Sequence, residues 1–119
     1  MFQYIQVNAC GVIGHIAKMS GKGTSVLLYI NELDKYGQQI GSQSVYVHLY
    51  NDAERVLLRH NAAIGDTLEI RAGNLRMPYH TPNGSLVSTT INCNWYNQIS
   101  VIAKSNYYTL ADRKRTCTA

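Results

Sequence analysis

Apolar and polar residues alternate from the first residues of the chain onward. In YIQVNACG, Ile5, Val7 and Ala9 fall on one face of an extended segment, with Gly11 and Gly14 placed to bend or bulge it. SGKG at 20–23 is a turn, and the TSVLLYINEL that follows, rich in β-branched and aromatic residues, predicts a second strand. A polar, glycine-bearing hairpin loop, DKYGQQIG, leads into SQSVYVHLY, the clearest two-residue period in the sequence. Val45, Val47 and Leu49 lie on one face of it, and Tyr46, His48 and Tyr50 on the other. The period then changes. In NDAERVLLRHNAA, Asn51 stands at an N-cap position with Glu54 three residues on, and Val56, Leu57 and Leu58 follow at helical spacing.

GDTLEIRAGNLRMPYH returns to strand, with Leu68, Ile70 and Ala72 on the core face and Gly73 where the strand bulges or bends. Pro78 marks an edge or a fraying end. TPNG at 81–84 is a tight turn, and SLVSTTINCNWY continues with Val87, Ile91, Cys93 and Trp95 on one face, so the fourth and fifth strands form a long hairpin. Three strands, one helix and two strands, with no βαβ alternation, is the order of an all-β, five-stranded OB-fold Greek-key barrel with one α-helix between strands 3 and 4. A last apolar stretch runs from Ile99 to Ala103. The expected organisation is one domain over residues 1–105 and a short basic tail over 106–119, which has neither periodicity nor turn punctuation.

Composition narrows the chemistry. At 119 residues and 45% hydrophobic the chain has apolar matter for one core. Charged residues are sparse, at 15%, and a net charge of +4 favours a polyanionic partner. Nine tyrosines against one Phe and one Trp is an unusual balance, because Tyr is the ring that a protein leaves half exposed with its hydroxyl in water. Exposed rings need a reason, and stacking is one. No apolar run approaches the roughly 18 residues that span a bilayer, and no basic segment followed by an apolar one opens the chain, so a soluble, cytoplasmic protein is expected.

Cys10, Cys93 and Cys117 are odd in number and widely spaced, which suggests neither a disulfide framework nor a zinc site; Cys10 and Cys93 read as small buried strand residues. His15, His48, His60 and His80 have no carboxylate or Cys at ligand spacing. There is no GxSxG, no nominated acid pair, no phosphate-binding loop and no dinucleotide fingerprint. A binding protein without cofactor or metal is expected rather than an enzyme.

Across about 100 positions, from Val7 to Ile102, the pattern resembles the bacterial single-stranded DNA-binding protein family. GVIGHIAKM followed by SGKGTSVLLYINEL is similar to the family's first and second strands, VYVHLYNDAERV to its third strand running into the helix, and AIGDTLEIRAGNLR to its glycine turn and fourth strand. The resemblance implies an OB fold whose outward rings on the second, third and fourth strands stack on bases without regard to sequence. Tyr50 matches a family aromatic at the end of the third strand, and the fourth-strand hairpin ring maps to Tyr79 or His80. Ser44 falls where the family commonly has a stacking Trp, with Tyr46 as its substitute one dyad along. The family's acidic, hydrophobic C-terminal tip is replaced by DRKRTCTA, which fits a plasmid, phage or primosomal relative. The resemblance further implies a homotetramer or homodimer assembled through the first strand and its glycine turn, in a nucleoid-associated role in replication, repair, recombination or plasmid transfer. The alternative is a primosomal adaptor that binds replication or recombination proteins at forks.

The candidate DNA-binding residues are thus Tyr29, Tyr36, Tyr46, His48, Tyr50, Tyr79 and His80 as rings, and Lys18, Lys22, Lys35, Arg71 and Arg76 as phosphate contacts. Each also has an ordinary reading. The rings suit a solvent-facing strand, and the cations suit a solvated surface.

Overall fold

The computed structural model describes residues 5–104. The expected tail over 106–119, including Cys117, lies outside the described residues. The strands are β1 (Ile5–Lys18), β2 (Thr24–Leu33), β3 (Gln39–Leu49), β4 (Thr67–Arg76), β5 (Tyr79–His80), β6 (Leu86–Val87), β7 (Thr90–Cys93) and β8 (Ile99–Ala103). One helix, α1 (Asn51–Arg59), separates β3 from β4.

Five of these strands close into a ring. β1 pairs β2, β2 pairs β3 and β7 pairs β4, all antiparallel; β3 pairs β7 in parallel, and β4 returns to β1. Closure rests on β1 serving two partners in turn, β4 along Ile5–Val12 and β2 along Val12–Lys18. β8 adds to the other side of β4 over residues 67–70. The TPNG turn carries a small separate ribbon, β5 with β6.

The interior follows the two-residue period. Ile13, Val26, Leu28, Val47, Leu49, Leu68, Ile70, Ile91, Cys93 and Ile99 are buried, and Ala53 and Leu57 of α1 plug one end. Removing such aliphatics from water, at about 25 cal/mol per Å² of apolar surface, drives the fold. The third strand has the faces expected of it.

Several expectations are corrected. Ala72 does not continue the core face of Leu68 and Ile70: two residues of β4, Arg71 and Ala72, bulge opposite Asn8, whose side-chain carbonyl accepts the Ala72 N–H at 2.9 Å. Ala72 takes a φ of 53°, and inward residues beyond it are Gly73 and Leu75. Trp95 is exposed rather than inward, because β7 ends at Cys93 and the chain turns through a 3-10 segment at Tyr96–Gln98. Ile5 is exposed. Cys10 is only half-buried and is disulfide-bonded, where a small buried strand residue and no disulfide were expected. Cys93 is the buried free thiol expected, and burial raises its pKa to about 12.

The capping box is also absent. Tyr50 occupies the N-cap position without a side-chain cap, and Asn51, at a φ of 52° that Asn tolerates, donates its amide to Asn94 Oδ1 at 3.1 Å. Glu54 reaches across to β1 and β2 instead, accepting from Lys18 Nζ at 2.8 Å and Thr24 Oγ1 at 2.5 Å. Those bonds hold the Glu54 carboxyl below the ordinary carboxylate range. At the opposite end of α1, Lys104 donates to the carbonyls of His60 and Asn61 and pairs with the fully buried Asp66 at 2.6 Å. That lysine caps the helix C-terminus and neutralises a buried carboxylate at once.

Candidate nucleic-acid interface

Pleating puts every second residue of β2, β3, β7 and β4 on the outside, and the register arranges those residues in rows. Tyr29 lies opposite Ser44. Leu27, Tyr46, Thr90 and Arg76 follow one another across the four strands, and Ser25, His48, Asn92 and Asn74 form the next row. Tyr50 ends the ring face of β3. This surface joins five of the expected residues: Tyr29, Tyr46, His48, Tyr50 and Arg76.

Tyr29 is 52% exposed, and its ring packs against Gly14 on β1. A Cβ at residue 14 would stand 1.9 Å from Tyr29 Cε2, so only glycine leaves room for the ring there. Because Tyr29 is the cross-strand partner of Ser44, it also supplies an aromatic surface beside the position where Ser44 has none. At the other end of the face, Tyr50 packs against Gly23, which turns with a φ of 99° that favours glycine. His48 meets Tyr50 edge to face, with ring centroids 6.5 Å apart. Partial burial, and then the charge of Arg76, lower the His48 pKa from its ordinary 6.5, so the imidazole is neutral at neutral pH.

Cations accompany the rings. The Arg76 guanidinium stands 5.6 Å from the centre of the Tyr79 ring, and Lys35 Nζ 5.2 Å from that of Tyr36. Tyr36 sits at the tip of the β2–β3 hairpin and is 77% exposed; Tyr79 and His80 are exposed on the β5–β6 ribbon. Between this ribbon and β3 runs a groove of about 620 Å³ lined by Ser44, Tyr46, Pro78 and Leu86. Next to it a shallow, open hollow of about 430 Å³ is lined by Tyr50, Lys22, Arg76 and four asparagines, 51, 74, 92 and 94. Among the described residues, neither Lys22 nor Arg76 has an acidic partner.

Two expected cations are placed differently. Lys18 is tied to Glu54 at the foot of the first hairpin. Arg71 is bound to Glu69 at 2.7 Å and, being on the other side of the β4 bulge, lines a separate hollow with Asn8 and Cys10. Neither joins the ring face.

The asparagines, Trp95 and Tyr96 are not among the binding residues expected from the sequence, where Asn51 stood as a helix cap and Trp95 as a core residue. Trp95 and Tyr96 are 64% and 67% exposed immediately after Asn94. The backbone N–H groups of Asn94 and Trp95 both bind Gln98 Oε1, while the Gln98 amide donates to Ala72 O, so a buried glutamine sets this turn. Among the described residues there is no cluster of three metal-ligating side chains, and no helix is long and apolar enough to cross a membrane.

No family model matches the sequence, and no curated protein matches it. Solved structures do. A small single-stranded DNA-binding protein from Streptomyces coelicolor superposes with a TM-score of 0.60 at 13% identity, over 91% of this chain and 99% of that one. The Mycoplasma pneumoniae small single-stranded DNA-binding protein gives 0.55 at 16% identity, over 92% and 100%. A Plasmodium falciparum single-stranded DNA-binding protein in complex with ssDNA gives 0.55 at 18% identity, over 87% and 98%. Likeness at such identities is a likeness of architecture, and with the closed five-strand ring and the helix between β3 and β4 it establishes that this chain has the OB fold.

Proposed function

We propose that this protein binds single-stranded DNA, coating it by stacking bases on tyrosines while Lys and Arg draw in the phosphates. The observation that carries the reading is the outer face of β2, β3, β7 and β4. Tyr29, Tyr46, His48 and Tyr50 are held there in register beside Arg76, with Lys22 and Lys35 in the flanking turns. Every base has a π-face, so stacking tolerates any sequence, and each lost stack costs about 1–3 kcal/mol. That structural relatives include a protein solved with ssDNA supports the same reading. In it the binding unit spans residues 1–105, and copies assemble through β1 and its glycine turn.

Fluorescence anisotropy of labelled dT oligonucleotides tests the proposal. Tyr50→Ala and Tyr46→Ala should each weaken binding by the loss of one stack, Phe at either position should retain most of it, and thermal melts should change little. Affinity should also fall as salt rises, with a slope of about −0.7 per neutralised phosphate in log K against log salt. A wild-type protein that does not bind dT oligonucleotides at low salt refutes the proposal.

A further inference from the structure

The hollow beside Tyr50 has a chemistry that backbone attraction and stacking leave unused. Its asparagines come from four separate places in the chain: the start of α1, β4, β7 and the turn after β7. Asn74 and Asn92 are direct cross-strand neighbours, in the same row as His48. Asn94 is held from the side by Asn51, a bond that uses the Asn94 carbonyl and leaves its amide N–H groups to the hollow. The Asn92 side-chain carbonyl accepts the Thr90 hydroxyl at 3.4 Å, and the NH₂ of the same side chain has no partner among the described residues. The Asn74 side chain has no hydrogen-bond partner among the described residues. Lys22 and Arg76 add only donors.

We infer that this hollow is a base-reading subsite that takes the edge of one unpaired nucleobase and prefers guanine. The inference rests on the proposed binding of single-stranded DNA. Chain phosphates need charge but not planar amides, whereas four amides and a guanidinium around an aromatic ring match the rim of a base stacked on Tyr50. The balance of unused groups decides which base. Donors predominate, and guanine is the base with an edge of two adjacent acceptors, O6 and N7, and no donor; the matching edge of adenine and the Watson–Crick edge of cytosine each carry an amino donor, and thymine O4 lies between a methyl group and the N3–H. The left-handed backbone at Asn51 fits a built subsite, since a residue held in a sparsely populated conformation is maintained by its surroundings, here the bond to Asn94.

The test compares the full chain's affinity for dT15 with that for dT15 carrying a single central dG, dA or dC. The dG oligonucleotide should bind about 10-fold more tightly than dT15, within the span that one good edge contact gives, and dA and dC should not. In Asn74→Ala/Asn92→Ala the ratio of dG to dT affinity should fall to about one. Asn74→Asp, which keeps the shape and replaces donors by acceptors, should reverse it, and serves if the double variant does not fold. Equal affinity for all four oligonucleotides in the wild-type protein, with an ordinary salt dependence, overturns the subsite while leaving the proposed function intact. Failure to bind any of them overturns the function itself.

Discussion

Gly14 and Tyr29 make a pair in which one residue has no chemistry and the other has all of it. Replacing Gly14 by Ala would put a methyl group 1.9 Å from Tyr29 Cε2 and 2.5 Å from Cδ2, far inside contact distance. The clash is with a ring at the end of a rotatable side chain, on the outside of the barrel, so the ring swings away and the barrel stays folded. Gly14 has no positive φ to forfeit among the strained residues of the chain. Stability should therefore change by less than about 1 kcal/mol, the scale of an ordinary surface substitution. If Tyr29 stacks on a base from this seat, Gly14→Ala should weaken dT15 binding by about 1–3 kcal/mol, the same as Tyr29→Ala. The two changes remove one interaction, so the double variant should bind as weakly as either single one, not by the sum. Anisotropy titrations at fixed salt and thermal melts of all four proteins complete the cycle. Normal binding by Gly14→Ala, or losses that add, would refute the argument that the glycine exists to seat the ring.

Other consequences are simpler to state. Lys104→Met removes a cation bonded to the buried Asp66 and uncaps α1, and a lost partner of a buried charge costs about 3 kcal/mol, visible as a lower midpoint in urea. Thr67 Oγ1 is buried with no hydrogen-bond partner, so the isosteric Thr67→Val should be neutral or raise stability by up to about 1 kcal/mol in the same assay. His48 has a folded-state pKa below its ordinary 6.5, so the unfolded chain takes up its proton first as pH falls; the stability tied to His48 is complete above that value and declines below it. Phosphate beside Arg76 would relieve the repulsion on the imidazole, so DNA affinity should rise as pH falls through the range in which His48 takes up its proton, and His48→Gln should flatten that rise.

How far the sequence can be read depends on whether a feature is local. The third strand was legible residue by residue, since Val47 and Leu49 must be buried if Tyr46 and His48 are not, and its register with β2 runs unbroken from Gly41 to Leu49. The fourth strand was legible only to Ile70. Beyond it the extra residue at Arg71–Ala72 reverses the faces, and the cause is a carbonyl on Asn8, more than sixty positions earlier. Trp95 was misplaced for a related reason: alternation was extended past Cys93, where pairing with β3 stops. Asn51 and Glu54 have the residue types of a capping box, but each finds a tertiary partner, Asn94 or Thr24 and Lys18, that competes with the local bond. In the candidate site, tyrosines on strands could be found from their period. The asparagine hollow could not, because only the register of β4 against β7 brings 74 beside 92.

The parallel pairing of β3 with β7 has a consequence for how the chain emerges from the ribosome. β3 and β4 are both complete by residue 76, yet the strand that lies between them spans Thr90–Cys93, so until those residues are released each presents an open edge with unpaired backbone groups. The clamp that secures the helix plug arrives later still, at Lys104. Nascent chains stalled between residues 76 and 90 would hold two sticky edges in a half-built barrel, and a chaperone that recognises extended hydrophobic strands should engage them in that interval and release them once β7 is seated.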